Sequence, residues 1–222
     1  NLPRDSGLRF CPRCQSSPKK KAEDPTNNEQ RNFDDVHAEY EKCRKGDHNM
    51  AAVRVSNLYK TFNGFNAVDG LCISMDHNQI FCLLGHNGAG KTTAIRMMTA
   101  LTSSNGGEID VGGYDVATET AKVRESIGVC PQHDVLWGQL TSGEHLKIFS
   151  LLKGHFGTAA NQEIDELLEG VKLTEVRNKQ SSQYSGGMRR RLSVAIAAVG
   201  SPKVMFLDEP TTGMDPMSRQ HV

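Results

Sequence analysis

Apolar and polar positions alternate from Val53 to Tyr59 as they do in a half-buried strand, and the stretch Gly70 to Met75 gives a second such segment. Ile80-Phe-Cys-Leu-Leu84 is continuously apolar, which predicts a strand buried on both faces. Gly106 to Gly113 reads as a short strand between glycine turns, and Ile127 to Cys130 as another that Pro131 stops. Downstream the period changes. Thr141-Ser-Gly-Glu144 has the spacing of a capping box, and Leu146, Phe149 and Leu152 then fall on roughly one helical face. Ile164, Leu167, Leu168 and Val171 recur at helical spacing and predict a second amphipathic helix, while Met188 to Val199 predicts a third. Val204 to Leu207 returns to a buried strand. Strands, a helical insert and a further strand describe an α/β core carrying a helical subdomain, expected at about 133–200.

The first 50 residues differ in kind. They hold scattered apolar positions among polar runs such as Lys19-Lys20-Lys21 and Asp24 to Gln30, a composition that suits a linker or disordered tail. The domain is therefore expected at 51–222. Twenty-six basic residues balance 26 acidic ones in the 222, so bulk charge gives no reason to expect a polyanion partner. Neither a bilayer-length apolar run nor a secretion leader is present in the sequence. A chain starting at Asn1 and stopping at Val222 is expected to be a piece of a longer product.

Of the six cysteines, Cys72 and Cys82 lie in apolar stretches and are expected to act as small buried hydrophobes. Cys11-Pro-Arg-Cys14 alone has a metal-like spacing. Zinc would need two further ligands from His37, Cys43 or His48, which do not form a second tight pair, so an incidental reduced pair is the expected reading.

Directly after the apolar run comes Gly85-His86-Asn87-Gly88-Ala89-Gly90-Lys91-Thr92-Thr93, a match to G-x-x-x-x-G-K-[ST]. Glycines at its ends let the backbone turn tightly, so that successive N–H groups point at phosphate oxygens. Lys91 reaches the β and γ phosphates, Thr92 offers its hydroxyl to Mg²⁺, and a helix starting near Thr93 turns its positive end to the same anion. Asp208-Glu209, after Val204 to Leu207, supplies what such a loop needs on a neighbouring strand: one carboxylate to hold Mg²⁺ through water, another to polarise the attacking water. Tyr184-Ser185-Gly186-Gly187-Met188 presents free N–H groups just before a helix. Arg189, Arg190 and Arg191 follow at 100° intervals around that helix and read as a solvated face rather than a nucleic-acid patch. Gln132 alone is any loop glutamine.

Order turns these fragments into a family resemblance. Gly85 to Thr93, Val129-Cys-Pro-Gln132-His-Asp, Tyr184 to Met188, and Val204 to Glu209 followed by Pro210-Thr-Thr-Gly-Met-Asp215-Pro resemble the Walker A, Q-loop, signature, Walker B and D-loop elements of the nucleotide-binding domain of ABC transporters. Gly-His-Asn-Gly-Ala-Gly-Lys, Cys-Pro-Gln-His-Asp-Val-Leu and Leu-Asp-Glu-Pro-Thr-Thr-Gly-Met-Asp-Pro look like the eukaryotic A subfamily of large lipid transporters.

The resemblance implies a P-loop NTPase core with a helical subdomain, incomplete at its C-terminal end, using ATP and Mg²⁺. It assigns Phe62 to stacking on adenine, with Tyr59 a weaker candidate. Catalysis would rest on Glu209, Gln132 and Lys91, and the metal on Thr92, Gln132 and Asp208. Ser185, Gly186 and Gly187 would contact the γ-phosphate held by a second nucleotide-binding domain, with Asp215 at the seam between the two. The helices from 141 to 171 would face transmembrane domains of the same or a partner chain, putting this domain at a membrane's cytosolic face, with no nucleic-acid partner.

Two departures stand out: Tyr184 and Met188 replace the ends of the commonest signature, Leu-Ser-Gly-Gly-Gln, and the switch histidine is missing. Only 13 residues follow Glu209 (222 minus 209), and His221 comes too early. A soluble, ribosome-associated ABC ATPase, or a truncated product that binds nucleotide without catalysis, are the alternatives.

Overall fold

Asn63 and Gly64 join the two longest strands, β2 (Ala51–Phe62) and β3 (Phe65–Asp76), through a turn in which both have positive φ, 45° and 80°. That is the geometry of a two-residue type I′ hairpin, which an Asn-Gly dipeptide favours because both residues tolerate the left-handed region. The computed structural model describes Leu8–Arg9 and residues 51–210, in two compact units, one ending at Arg124 and the other starting at Glu125. Of the expected 1–50 tail, Leu8–Arg9 are thus the only described residues, and they form strand β1.

The first unit holds a sheet of order β1-β3-β2-β4-β5, where β4 is Gly106–Val111 and β5 is Tyr114–Asp115. β1 runs parallel to β3 and the other pairs are antiparallel. Val53, Val55, Leu58, Val68, Leu71, Ile109 and Val111 are buried, as the alternation requires. Helix α1 (Lys91–Met98) buries Ala94, Met97 and Met98.

The strand expected at Ile80 to Leu84 does not form. These residues belong to neither sheet, Ile80 is 99% and Leu84 77% exposed, and Cys82, expected to be buried, is exposed. An apolar run becomes a strand only where a neighbouring edge takes up its backbone N–H and C=O groups, and this run pairs with none of the described strands.

The second unit begins within helix α2 (Thr120–Ser126) and continues through β6 (Ile127–Cys130), α3 (Ser142–Leu152), α4 (Gly157–Gly170), α5 (Gly186–Ala198) and β7 (Val204–Leu207). β6 and β7 pair in parallel, Ile127 opposite Val204 and Cys130 opposite Leu207. The expected capping box opens α3: the Thr141 hydroxyl accepts from Glu144 N–H, and Glu144 accepts from Thr141 N–H. One cluster joins the three helices: Leu146, Ile164, Leu168, Leu173, Tyr184, Leu192, Ala195 and Val199. Burial of each leucine stabilises the unit by about 1.5–3 kcal/mol.

Helix α5 presses its other stripe onto β6. A Cβ added to Gly128 would lie 1.8 Å from the carbonyl oxygen of Ala197, so only glycine fits there. No helix among the described residues is long and apolar enough to cross a membrane.

Candidate functional site

Loop 85–93 closes on itself. Gly88 and Gly90 take φ of 83° and 91°, and Gly90 forms the left-handed N-cap of α1 with no side chain capping the helix. A Cβ on Gly90 would stand 2.2 Å from the carbonyl oxygen of Ala67, so dihedral and space both demand glycine. Ala89 N–H donates to His86 O at 3.1 Å. The Lys91 ammonium folds back over the loop and donates to the carbonyls of Gly85 (2.7 Å) and His86 (3.0 Å). Gly85, His86, Asn87 and Gly88 are exposed, Ala89 is buried, and Thr92 and Thr93 are half-buried in the first turn of α1. The N-terminus of a helix beside a lysine ammonium is a donor set suited to an anion.

Phe62 ends β2, half exposed beside the hairpin turn, with the Lys60 ammonium 5.1 Å from its ring centroid. Lys60 is fixed by donating to Ser103 O at 2.7 Å. An accessible ring of this kind can stack on a base.

In the second unit, parallel pairing of β6 and β7 brings together the residues that follow them. Gln132 Nε2 donates to Glu209 Oε2 at 3.1 Å, uniting two of the three residues expected in catalysis. Asp208 is buried, and its N–H donates to Cys130 O at 2.9 Å. Glu209 has φ of 49°, the left-handed region that a non-glycine residue seldom enters. Burial pushes the Cys130 thiol up, which keeps it neutral at the foot of this loop.

Ser185 is the N-cap of α5 and accepts from Met188 N–H at 3.2 Å; Ser185 and Gly186 are exposed and Gly187 is half-buried. Tyr184, which departs from the commonest signature, is buried in the helical cluster and donates its hydroxyl to Val176 O at 2.8 Å. It anchors the chain just before the glycines.

The arginine triplet is not a solvated face. Arg189 donates to Tyr184 O at 3.0 Å, and Arg191 donates to Val171 O at 2.9 Å just past the end of α4. Arg190 is 2% exposed and reaches the loops after both β6 and β7. Its stripe on α5, Arg190, Ser193 and Ala197, carries the small residues that let the helix approach β6 closely. That spacing was the available signal in the sequence.

His145 had no expected role and is fully buried. Its Nε2 accepts from Trp137 N–H (3.0 Å), so Nδ1 bears the proton and donates to Thr141 O (2.7 Å). Trp137 stacks on its ring, with centroids 5.6 Å apart.

The structure therefore builds two partial sites, each within one unit: loop 85–93 with Phe62, and Gln132 with Asp208 and Glu209. Asp215, Cys11 and Cys14 lie outside the described residues, and no cluster of metal-ligating side chains occurs among the described ones.

Comparison with known proteins bears on both halves. The model of the ABC transporter family matches residues 68–212. ABC transporter A family member 2 of Arabidopsis thaliana is 44% identical over 187 residues, 77% of this chain and 19% of that protein. Retinal-specific phospholipid-transporting ATPase ABCA4 of Homo sapiens is 46% identical over 175 residues, 78% of this chain and 8% of that protein. The chain thus spans about a fifth or less of the length of these relatives. A solved ATP binding subunit of an ABC transporter superposes with a TM-score of 0.70 at 25% identity, covering 77% of this chain and 71% of that one.

Proposed function

The chain belongs to the ABC transporter family, resembling its A-family members, and on that premise we propose that it is the ATP-binding domain of a transporter that couples ATP hydrolysis to movement of lipid across a membrane. The observation that carries the reading is the Gln132–Glu209 hydrogen bond of 3.1 Å, which positions a carboxylate and an amide to handle one water molecule. The lipid cargo rests on likeness to a protein named as phospholipid-transporting.

Lys91 and the first-turn N–H groups of α1 hold the phosphates, and Phe62 stacks on the adenine. Thr92, Gln132 and Asp208 bear the oxygen donors a hard divalent cation prefers, and bound Mg²⁺ would neutralise charge on the β and γ phosphates. Glu209 takes a proton from the attacking water while Gln132 orients it. Ser185, Gly186 and Gly187 face the nucleotide of a second nucleotide-binding domain, and transmembrane domains lie against the helices from 141 to 171.

Glu209→Gln in the intact transporter should retain ATP binding and lose turnover by roughly 10²-fold or more, the scale of a general base. Turnover at the unsubstituted rate would overturn the assignment.

A further inference from the structure

Arg190 places a guanidinium, 2% exposed, where the loops after β6 and β7 converge. Its Nε donates to Pro210 O at 2.8 Å, and its Nη2 to Asp208 O at 2.8 Å and Glu209 O at 2.9 Å. Its Nη1 donates to Pro131 O, to Gln132 O at 3.4 Å and to Asp134 Oδ1 at 3.4 Å. Asp134, the one carboxylate among these acceptors, is itself held by Ser193 Oγ at 2.9 Å, one turn along α5. A buried cation is costly unless its donors are matched, and here backbone oxygens from two loops do most of the matching.

One edge of the planar fork gathers three successive carbonyls, 208 to 210, and the other arm gathers the chain on either side of the Pro131–Gln132 bond. Between those anchor points lie the two side chains of the proposed water site, 3.1 Å apart. Glu209 also sits at φ 49°, a strained conformation that persists only when its surroundings enforce it. The carbonyl of that strained residue is one that Arg190 grips.

We infer that Arg190 is a positioning residue: from the helix whose first turn carries Ser185 to Gly187, it fixes the backbones of Gln132 and Glu209 so that amide and carboxylate share one water. The inference rests on the reading of Glu209 as the base. It gives α5 two tasks, presenting the signature loop at its tip and setting the base of its own domain through its first buried side chain. Lysine cannot replace the fork, because a single ammonium cannot span both loops.

The test uses the intact transporter, with ATP binding, turnover and thermal unfolding measured on Arg190→Lys, Arg190→Ala, Gln132→Ala and the double variant Arg190→Lys/Gln132→Ala. Misplacing reacting groups by about 1 Å costs up to roughly 10²-fold, so Arg190→Lys should lower kcat about 10-fold or more while ATP affinity stays within about 3-fold. Because Arg190 acts through Gln132 and Glu209, the losses from Arg190→Lys and Gln132→Ala should combine to well below their product. Wild-type kcat in Arg190→Lys, or losses that simply multiply, would overturn the inference. If Arg190→Ala fails to fold, the lysine variant and its cycle decide. Glu209→Gln run alongside separates the two claims, since full turnover there defeats the reading of the base, whereas full turnover only in Arg190→Lys defeats the positioning role.

Discussion

Loop 85–93 of the first unit and the carboxylate end of the second are built in opposite ways. In the loop the Lys91 ammonium bonds carbonyls five and six residues behind it, and Gly90 both ends the loop and caps the helix that follows. At the carboxylate end, Gln132 and Glu209 meet across 77 positions of sequence, and Arg190 ties both loops from a third place in the chain. The first is a local fold of the backbone that nine consecutive residues specify. The second exists only when β6, β7 and α5 have packed. Defects in packing should therefore reach the carboxylate end first, while the loop should respond to changes within its own sequence.

The largest effect separating the two is expected from Leu168→Ala, which opens a cavity in the cluster that also holds Tyr184 of the signature segment and Leu192 of α5. It should cost about 2–5 kcal/mol. Urea unfolding followed by fluorescence of Trp137, the only tryptophan of the chain and a residue of the second unit, should show the midpoint fall. An unchanged midpoint would mean that the helices do not support this unit.

Lys91→Ala should come next. It deletes charge-assisted hydrogen bonds to phosphate, each worth about 1.5–3 kcal/mol, so ATP affinity by calorimetry should fall roughly 10- to 100-fold while the Trp137 unfolding midpoint holds. Gly90→Ala strikes the same loop through its backbone. The left-handed dihedral alone costs about 1–2 kcal/mol, and the new methyl meets the Ala67 carbonyl, so both stability and ATP binding should drop. Full ATP binding in that variant would show that the loop tolerates another path.

These contrasts also explain what the sequence could tell. The motif from Gly85 to Thr93 and the capping box at Thr141 and Glu144 are contiguous, and each was legible because its chemistry is complete within a few residues. Strands β2, β4, β6 and β7 follow from alternation or short apolar runs, yet the hairpin turn needed the Asn63-Gly64 dipeptide to be weighed as well. Ile80 to Leu84 has a strand's composition but pairs with none of the described strands, and composition cannot supply a neighbour. Arg190 was hidden for a related reason. Three arginines in a row look alike until the small residues Ser193 and Ala197, and Gly128 across from them, show which side of the helix lies on the sheet.

The smallest predicted effect tests a local device within the second unit. Thr141→Ala removes the N-cap of α3 and should cost about 1 kcal/mol. Hydrogen bonds from the Thr141 N–H and hydroxyl hold the Glu144 carboxyl below its usual range. A lowered folded-state pKa contributes stability that is present above the unfolded pKa and is lost as pH falls through the folded one. Thr141→Ala keeps the backbone N–H and removes the hydroxyl, so acid unfolding should be somewhat less steep than in the parent, and equal steepness would show that the hydroxyl contributes nothing to it.

On the proposed reading labour is divided, with the loop holding the nucleotide and the carboxylate end driving its cleavage. The most direct measurement compares ATP occupancy and ATP turnover in the intact transporter carrying Lys91→Ala or Glu209→Gln. Occupancy should fall with Lys91→Ala and persist with Glu209→Gln, whereas turnover should collapse in both. If Glu209→Gln lost occupancy as Lys91→Ala does, or turned over like the unsubstituted protein, that division would be contradicted.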